Sequence, residues 1–143
     1  MKVELTNKYV IGTHVMWFEI EMFTDFIDGM INLMETVEDR EKVTIDLCFN
    51  LSQKLEKIDD TKISIDGYNG LLEKFNNDVN RLEKVHSDVK WRVHDGDDFY
   101  FHADYRRDLN YNYCKKVDYV MWGETDSLFP KEAFQVIETL SEY

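Results

Sequence analysis

Apolar and polar positions along this chain follow two alternating periods. The run Tyr9–Met16 is mostly apolar (Tyr-Val-Ile-Gly-Thr-His-Val-Met), which predicts a strand buried on both faces. Downstream, Phe23, Phe26, Ile27, Met30, Ile31 and Met34 recur at i, i+3, i+4, i+7 spacing, one wide helical stripe. Val43, Ile45, Leu47 and Phe49 then alternate with Thr44, Asp46 and Cys48, which predicts a second strand. Asp59 and Asp60 lead into a short segment at residues 63–65 and a turn-rich run, Asp66-Gly67-Tyr68-Asn69-Gly70. Helical spacing returns at Leu71, Leu72, Phe75, Val79, Leu82 and Val85. A third strand is expected at residues 89–93, ending in the polar loop His94-Asp95-Gly96-Asp97-Asp98. A third helix is expected at residues 103–116, with Tyr105, Leu109 and Tyr113 on one face, and a fourth strand at residues 117–122. Pro130 suits the first turn of a last helix, where its missing N–H costs nothing, and Ala133, Phe134, Ile137 and Leu140 supply that helix's buried side.

Strand and helix alternate four times. That pattern predicts an α/β fold built from right-handed βαβ units: a mostly parallel central sheet with helices on both faces, in one domain spanning residues 1–143. Ligands of such sheets sit beyond the carboxyl ends of the strands. The informative segments are therefore those after Val15, Phe49, Val93 and Trp122.

Composition narrows the function classes. The chain has 143 residues, 43% of them hydrophobic, enough for one real core. Seventeen basic against twenty-nine acidic residues give a formal net charge of −12. Duplex nucleic acid needs the opposite electrostatic footprint, and anionic membrane surfaces should repel such a chain. No stretch approaches the roughly 20 apolar residues that span a bilayer, and residues 1–5 lack the basic-then-apolar pattern of a signal peptide. Cys48 and Cys114 make neither a disulfide framework nor a zinc site, so a reducing, cytoplasmic setting is expected. Self-association is left open.

The fourth strand end carries the clearest chemistry. An apolar strand delivers Glu124 and Asp126 on a Gly-initiated turn, and Ser127-Leu128-Phe129-Pro130 leads onward into a helix. Two carboxylates one residue apart can share a hard divalent cation and leave its other positions to phosphate oxygens and water. They can equally well favour the N-terminus of the following helix. Spacing alone leaves both readings open.

The stretch at residues 117–134, Val-Asp-Tyr-Val-Met-Trp-Gly-Glu-Thr-Asp-Ser-Leu-Phe-Pro-Lys-Glu-Ala-Phe, resembles the core signature of GT-A fold glycosyltransferases. In that family an apolar strand ends in an Asp-x-Asp motif, followed by an apolar-Pro step into a helix. Here Glu-Thr-Asp replaces it and keeps a carboxylate at the first position. Residues 103–110 sit where the family has an arginine-bearing helix start, and residues 10–19 resemble its first nucleotide-binding strand. Residues 53–86 match no part of it.

The resemblance implies a nucleotide-binding Rossmann-like sandwich, in minimal or truncated form, that transfers sugar from a UDP-sugar donor to an acceptor it does not identify. Asp126 would be the direct ligand of Mn²⁺ or Mg²⁺, with Glu124 acting through a water or the donor ribose. Such a cation stabilises the departing diphosphate as a Lewis acid. Arg106 and Arg107 would pair with the diphosphate or hold the acids in place; otherwise they are a solvated helix start. Thr13, His14 and Asn50 lie where the family seats base and ribose, with Asn50 reading the uracil edge and Asp95 facing the base pocket. Asn50 could instead cap a helix, and His14 could be a structural polar residue.

No other motif competes. P-loop, dinucleotide, zinc-protease and nucleophile-elbow patterns are absent, and a calcium loop counted from Asp95 would need Gly and Glu where Tyr100 and Arg106 stand. His94 and His102 are eight apart with no cysteine pair for zinc. Trp17, Trp91 and Trp122 suit packing better than sugar stacking. No catalytic base is assigned; Asp97, Asp98 and Glu124 are candidates by proximity alone. Two further classes stay in play: a nucleotide-sugar-binding module that needs a partner chain for transfer, and an acidic interaction domain with no small ligand.

Overall fold

A computed structural model of the chain describes residues 2–52, 65–96 and 98–142. The expectations at Asp59, Asp60, residues 63–64 and Asp97 lie outside them. In chain order the elements are β1 (Tyr9–Met16), α1 (Ile20–Glu35), β2 (Val43–Asn50), α2 (Ile65–Glu83), β3 (Val89–His94), α3 (His102–Tyr113), β4 (Tyr119–Trp122) and α4 (Ala133–Ser141). The strands form one four-stranded sheet in the order β3-β2-β1-β4. Every pairing is parallel, and Ile11 lies opposite Ile45 on one side and Met121 on the other. Among the described residues no helix is long and apolar enough to cross a membrane.

Because strand side chains alternate between faces, this register sorts the core into two parts. Tyr9, Ile11 and Val15 of β1 join Val43, Ile45, Leu47 and Phe49 of β2 in the larger core, under α1 and α2. Val10 and Cys48 point the other way, against Tyr105 and Leu109 of α3. The sheet is therefore covered on both faces, as the all-buried pattern of β1 requires. The α1 stripe packs as its spacing predicts: Phe23, Phe26, Ile27, Met30 and Met34 are buried, and Ile20 and Leu33 widen the face. Phe75 of α2 stacks between Phe23 and Phe49, with ring centroids 5.2 and 4.9 Å away. Burial of each such ring contributes about 1.5–3 kcal/mol.

Four local expectations need correction. The run Asp66–Gly70, read as a turn, is the first part of α2. Gly67 and Gly70 each cost a helix about 1 kcal/mol, but Tyr68 lies on the same face as Leu71 and Leu72, and all three pack against the larger core. Tertiary burial outweighs the glycines. Pro130 lies upstream of the last helix: its carbonyl accepts the Ala133 N–H at 3.0 Å, which closes a tight turn before α4 begins. That helix is held by buried Phe134 with partly buried Ala133 and Ile137, while Leu140 is 65% exposed rather than on the buried side. Between α3 and β4, Asp118 and Tyr119 donate their N–H groups to Lys8 O, so the strand begins at Tyr119 rather than Val117.

Candidate functional site

Two glycines bring the carboxyl ends of β1 and β4 together with the helices around them. A Cβ on Gly12 would lie 2.5 Å from the Tyr105 hydroxyl and 2.6 Å from Leu109, so only glycine lets α3 settle this closely on β1. A Cβ on Gly123 would press on Phe129 at 3.1 Å and Phe26 at 3.2 Å. The Gly123 N–H donates to Gly12 O (2.9 Å) and its carbonyl accepts the Thr13 hydroxyl (2.7 Å), so the turn after β4 is latched to β1 from both sides.

That turn carries the acid pair. Ser127 N–H donates to Glu124 O at 2.9 Å, Thr125 is buried, and Glu124 and Asp126 are exposed. A crevice of about 230 Å³ opens here, lined by Glu19, Met22, His102, Glu124, Thr125 and Asp126. One Glu124 oxygen accepts from Arg106 at 3.1 Å, and the Arg106 guanidinium lies 3.4 Å over the Trp122 ring. The alternative in which Glu124 and Asp126 serve the following helix loses its footing, because α4 begins at Ala133 with Glu132 at its N-cap. The dipole's reach is about one turn.

Among the described residues no three His, Cys, Asp or Glu side chains converge on a metal position. The donor set nonetheless fits a cation of the Mg²⁺ or Mn²⁺ class, which is commonly held by one or two carboxylates plus substrate phosphates rather than by an all-protein cage.

Behind the crevice lies a buried polar chain. Asn50 Oδ1 accepts the Ser52 N–H (2.9 Å) while its Nδ2 donates to Tyr100 O (2.8 Å), which fixes the orientation of the amide. The same Nδ2 lies 3.1 Å from His14 Nε2, and His14 Nδ1 lies 3.1 Å from His102 Nδ1. His14 is pushed down to about 3 by burial first and then by His102, His94 and Arg92, so its ring is neutral at ordinary pH. His102 opens α3, where the Asp104 carboxylate accepts the Phe101 N–H at 2.9 Å. Its Nε2 faces Glu19 Oε1 at 3.8 Å, and Glu19 Oε2 accepts the Met16 N–H (3.3 Å) and the Thr125 hydroxyl (3.4 Å).

A second polar cluster lies on the same sheet face. The buried Asp46 carboxylate accepts the hydroxyls of Tyr105 (2.7 Å) and Tyr113 (3.1 Å) and the Arg92 guanidinium (3.2 Å). Burial, with Asp46 second, pushes Tyr113 up to about 12, and burial pushes the Cys48 thiol up to about 11, which leaves that sulfur unreactive. The cleft beside this cluster, about 390 Å³, is lined by Arg92, His94, Tyr100, Asp108 and Asn112. Most of its groups are paired with neighbours: Arg92 with Asp46, His94 with Asp98, Tyr100 with Asp108. It is larger than the crevice at β4 but carries less available chemistry.

The residues singled out in the sequence thus separate. Glu124 and Asp126 line the β1/β4 crevice, and Arg106 pairs with Glu124. Thr13 and His14 are buried just behind it, and the Thr13 hydroxyl is spent on Gly123. Asn50 is fully buried at the end of β2, with both ends of its amide engaged. Asp95 is exposed at the end of β3 and accepts the Tyr68 hydroxyl at 3.1 Å. Arg107 is 70% exposed and lies 3.6 Å from both Asp104 and Asp108. Glu19 and His102 were not singled out for this site. The alternation that puts His14, Asp46 and Asn50 on one sheet face, opposite the larger core, is the signal that leads to His102. Compared with known proteins, the chain matches no family model, no curated protein and no solved structure.

Proposed function

We propose that the chain is a metal-dependent glycosyltransferase domain that binds a UDP-sugar across the carboxyl ends of β1 and β4. The observation that carries this reading is the placement of the Glu124-Thr125-Asp126 turn. β2 and β3 fill one side of β1 and β4 adds on the other, so the strand order reverses between β1 and β4. In open parallel sheets that reversal makes the ligand crevice, and the acid pair of the resemblance lies on it. Asp126, exposed and on no helix cap, is the residue to hold the cation, with Glu124 beside it. Arg106, held by Glu124 and Trp122, supplies fixed positive charge for the diphosphate. When bound, the cation would stabilise negative charge on the leaving diphosphate. Asn50 and Thr13 act in this reading as supports for the strand ends, not as groups that touch the base.

Two measurements test the reading. Calorimetric titration of UDP with and without Mn²⁺ should give metal-enhanced binding, and no binding in either condition would overturn it. Release of UDP from a panel of UDP-sugars separates a transferase from a module that only holds the donor.

A further inference from the structure

We propose that Glu19 and His102 form a hydroxyl-recognition notch in the β1/β4 crevice, with His14 and Asn50 as positioning residues that set which ring nitrogen of His102 carries the proton. The inference rests on the glycosyltransferase reading for the identity of the ligand, a sugar. The tautomers themselves rest on hydrogen bonds alone.

Asn50 is the fixed end of the chain. Its Oδ1 takes the Ser52 N–H and its Nδ2 gives to Tyr100 O, so the atom facing His14 Nε2 is a donor. His14 Nε2 must accept, which leaves the proton of the neutral ring on Nδ1. That proton points at His102 Nδ1, 3.1 Å away, which must accept in turn. His102 therefore carries its proton on Nε2, the nitrogen that faces Glu19. Fully buried Asn50 dictates what a half-exposed ring offers to the crevice.

The gap at the end of this chain selects a chemistry. His102 Nε2 and Glu19 Oε1 are 3.8 Å apart, too far for a good hydrogen bond and close enough for both to reach one inserted atom. That atom must accept from an N–H and give a proton to a carboxylate. A hydroxyl does both. A phosphate oxygen accepts but would confront Glu19, and an ammonium gives but cannot accept. Glu124 and Asp126 line the same crevice, so a sugar held in the notch would lie beside the residues proposed to hold the cation.

Nitrogen-resolved NMR of the histidine rings in the full chain reads the tautomers without a ligand. The proton is expected on Nδ1 of His14 and Nε2 of His102; a proton on Nε2 of His14 overturns the relay. His14→Phe keeps a ring beside Tyr105 but removes the donor, so His102 should become a mixture of tautomers. An unchanged His102 overturns the positioning role. UDP is then compared, with Mn²⁺, to UDP-glucose, UDP-galactose and UDP-N-acetylglucosamine. At least one sugar nucleotide should bind tighter than UDP by about fivefold, the worth of one hydrogen bond. That margin should vanish in His102→Ala and return in part in His102→Gln, whose amide N–H can stand near the Nε2 position. A loss that falls equally on UDP and the sugar nucleotides overturns the notch and leaves the donor reading intact. If no nucleotide binds, the donor reading fails, and glucose and galactose titrated alone decide the notch. Shifts of the His102 ring signals support it, and none up to about 50 mM sugar overturns it.

Discussion

The guanidinium of Arg106 lies 3.4 Å from the centre of the Trp122 ring while giving a hydrogen bond to Glu124 at 3.1 Å. The three residues come from α3, β4 and the turn after it, so one cation ties the helix to the acid turn. Arginine suits this position because its flat, delocalised charge can stack and donate at once. The contact also places one positive charge beside Glu124, where a carboxylate alone would repel an incoming diphosphate.

Arg106→Lys keeps the charge and loses the flat stack. With the side chain one-third exposed, the stability loss should be small, about 0.5–1 kcal/mol. UDP affinity should fall severalfold more than that loss suggests, because lysine cannot grip two phosphate oxygens in one plane. Thermal unfolding and UDP titration of the same variant separate the two effects. Affinity unchanged within error would remove Arg106 from the diphosphate.

Gly12→Ala tests the closeness of α3 to β1. The new methyl would meet the Tyr105 hydroxyl at 2.5 Å, and that hydroxyl is tied to Asp46 at 2.7 Å, so it cannot move without breaking a buried hydrogen bond. Overpacking of this kind costs about 1–3 kcal/mol. The melting temperature should drop by roughly 2–4 °C per kcal/mol for a chain of this size. An unchanged melting temperature would mean that the helix sits further from the strand.

Acid should destabilise the fold through its buried histidines. His14 is held down to about 3 against an ordinary 6.5, by burial and by the neighbouring His102, His94 and Arg92. His86 is also lowered by burial, although its Nε2–H donates to Val43 O at 2.6 Å. Both rings stay neutral in the native state where the unfolded chain takes up protons. The stability they contribute is fully present above about pH 6.5 and declines as pH falls, for His14 all the way toward pH 3. The neutral His14 ring gives a slope of about 1.4 kcal/mol per pH unit within that window. Denaturant unfolding from pH 7 to pH 4 should show the decline, and His14→Phe should flatten it. Equal slopes in the wild type and the variant would mean that His14 titrates normally.

The sheet, its direction and its faces were legible because they rest on period. Phe23 to Met34 could form only one stripe, and the mostly apolar β1 could only be a strand covered on both sides. Tyr68 shows where this reading stops: its helical partners Leu71 and Leu72 lie downstream, and local turn chemistry in Gly67 and Gly70 masked them until burial was known. In the site, Glu124 and Asp126 were legible as a pair because they are close in sequence. The partners of His14 were not: His102 and Asn50 lie 88 and 36 residues away, and nothing local in either marks the contact.

The sharpest prediction concerns Asp126. If it holds the cation, Asp126→Ala removes the charge and the anchor together. UDP affinity in Mn²⁺ should then fall to the metal-free level. Asp126→Asn should behave nearly the same, since a neutral amide oxygen is a poor ligand for a hard cation. Glu124→Ala should weaken binding less through the metal, but it also frees Arg106 from its 3.1 Å partner, so its effect should persist without Mn²⁺. The competing role, support of the following helix, would cost about 0.3–1 kcal/mol of stability and leave affinity alone. With α4 starting at Ala133, seven residues beyond Asp126, that stability loss should not occur. Titrating UDP into all three variants with and without Mn²⁺, alongside their thermal unfolding, distinguishes these outcomes. Metal-enhanced UDP binding that survives in Asp126→Ala would mean that the cation sits elsewhere and that this turn is not the donor site.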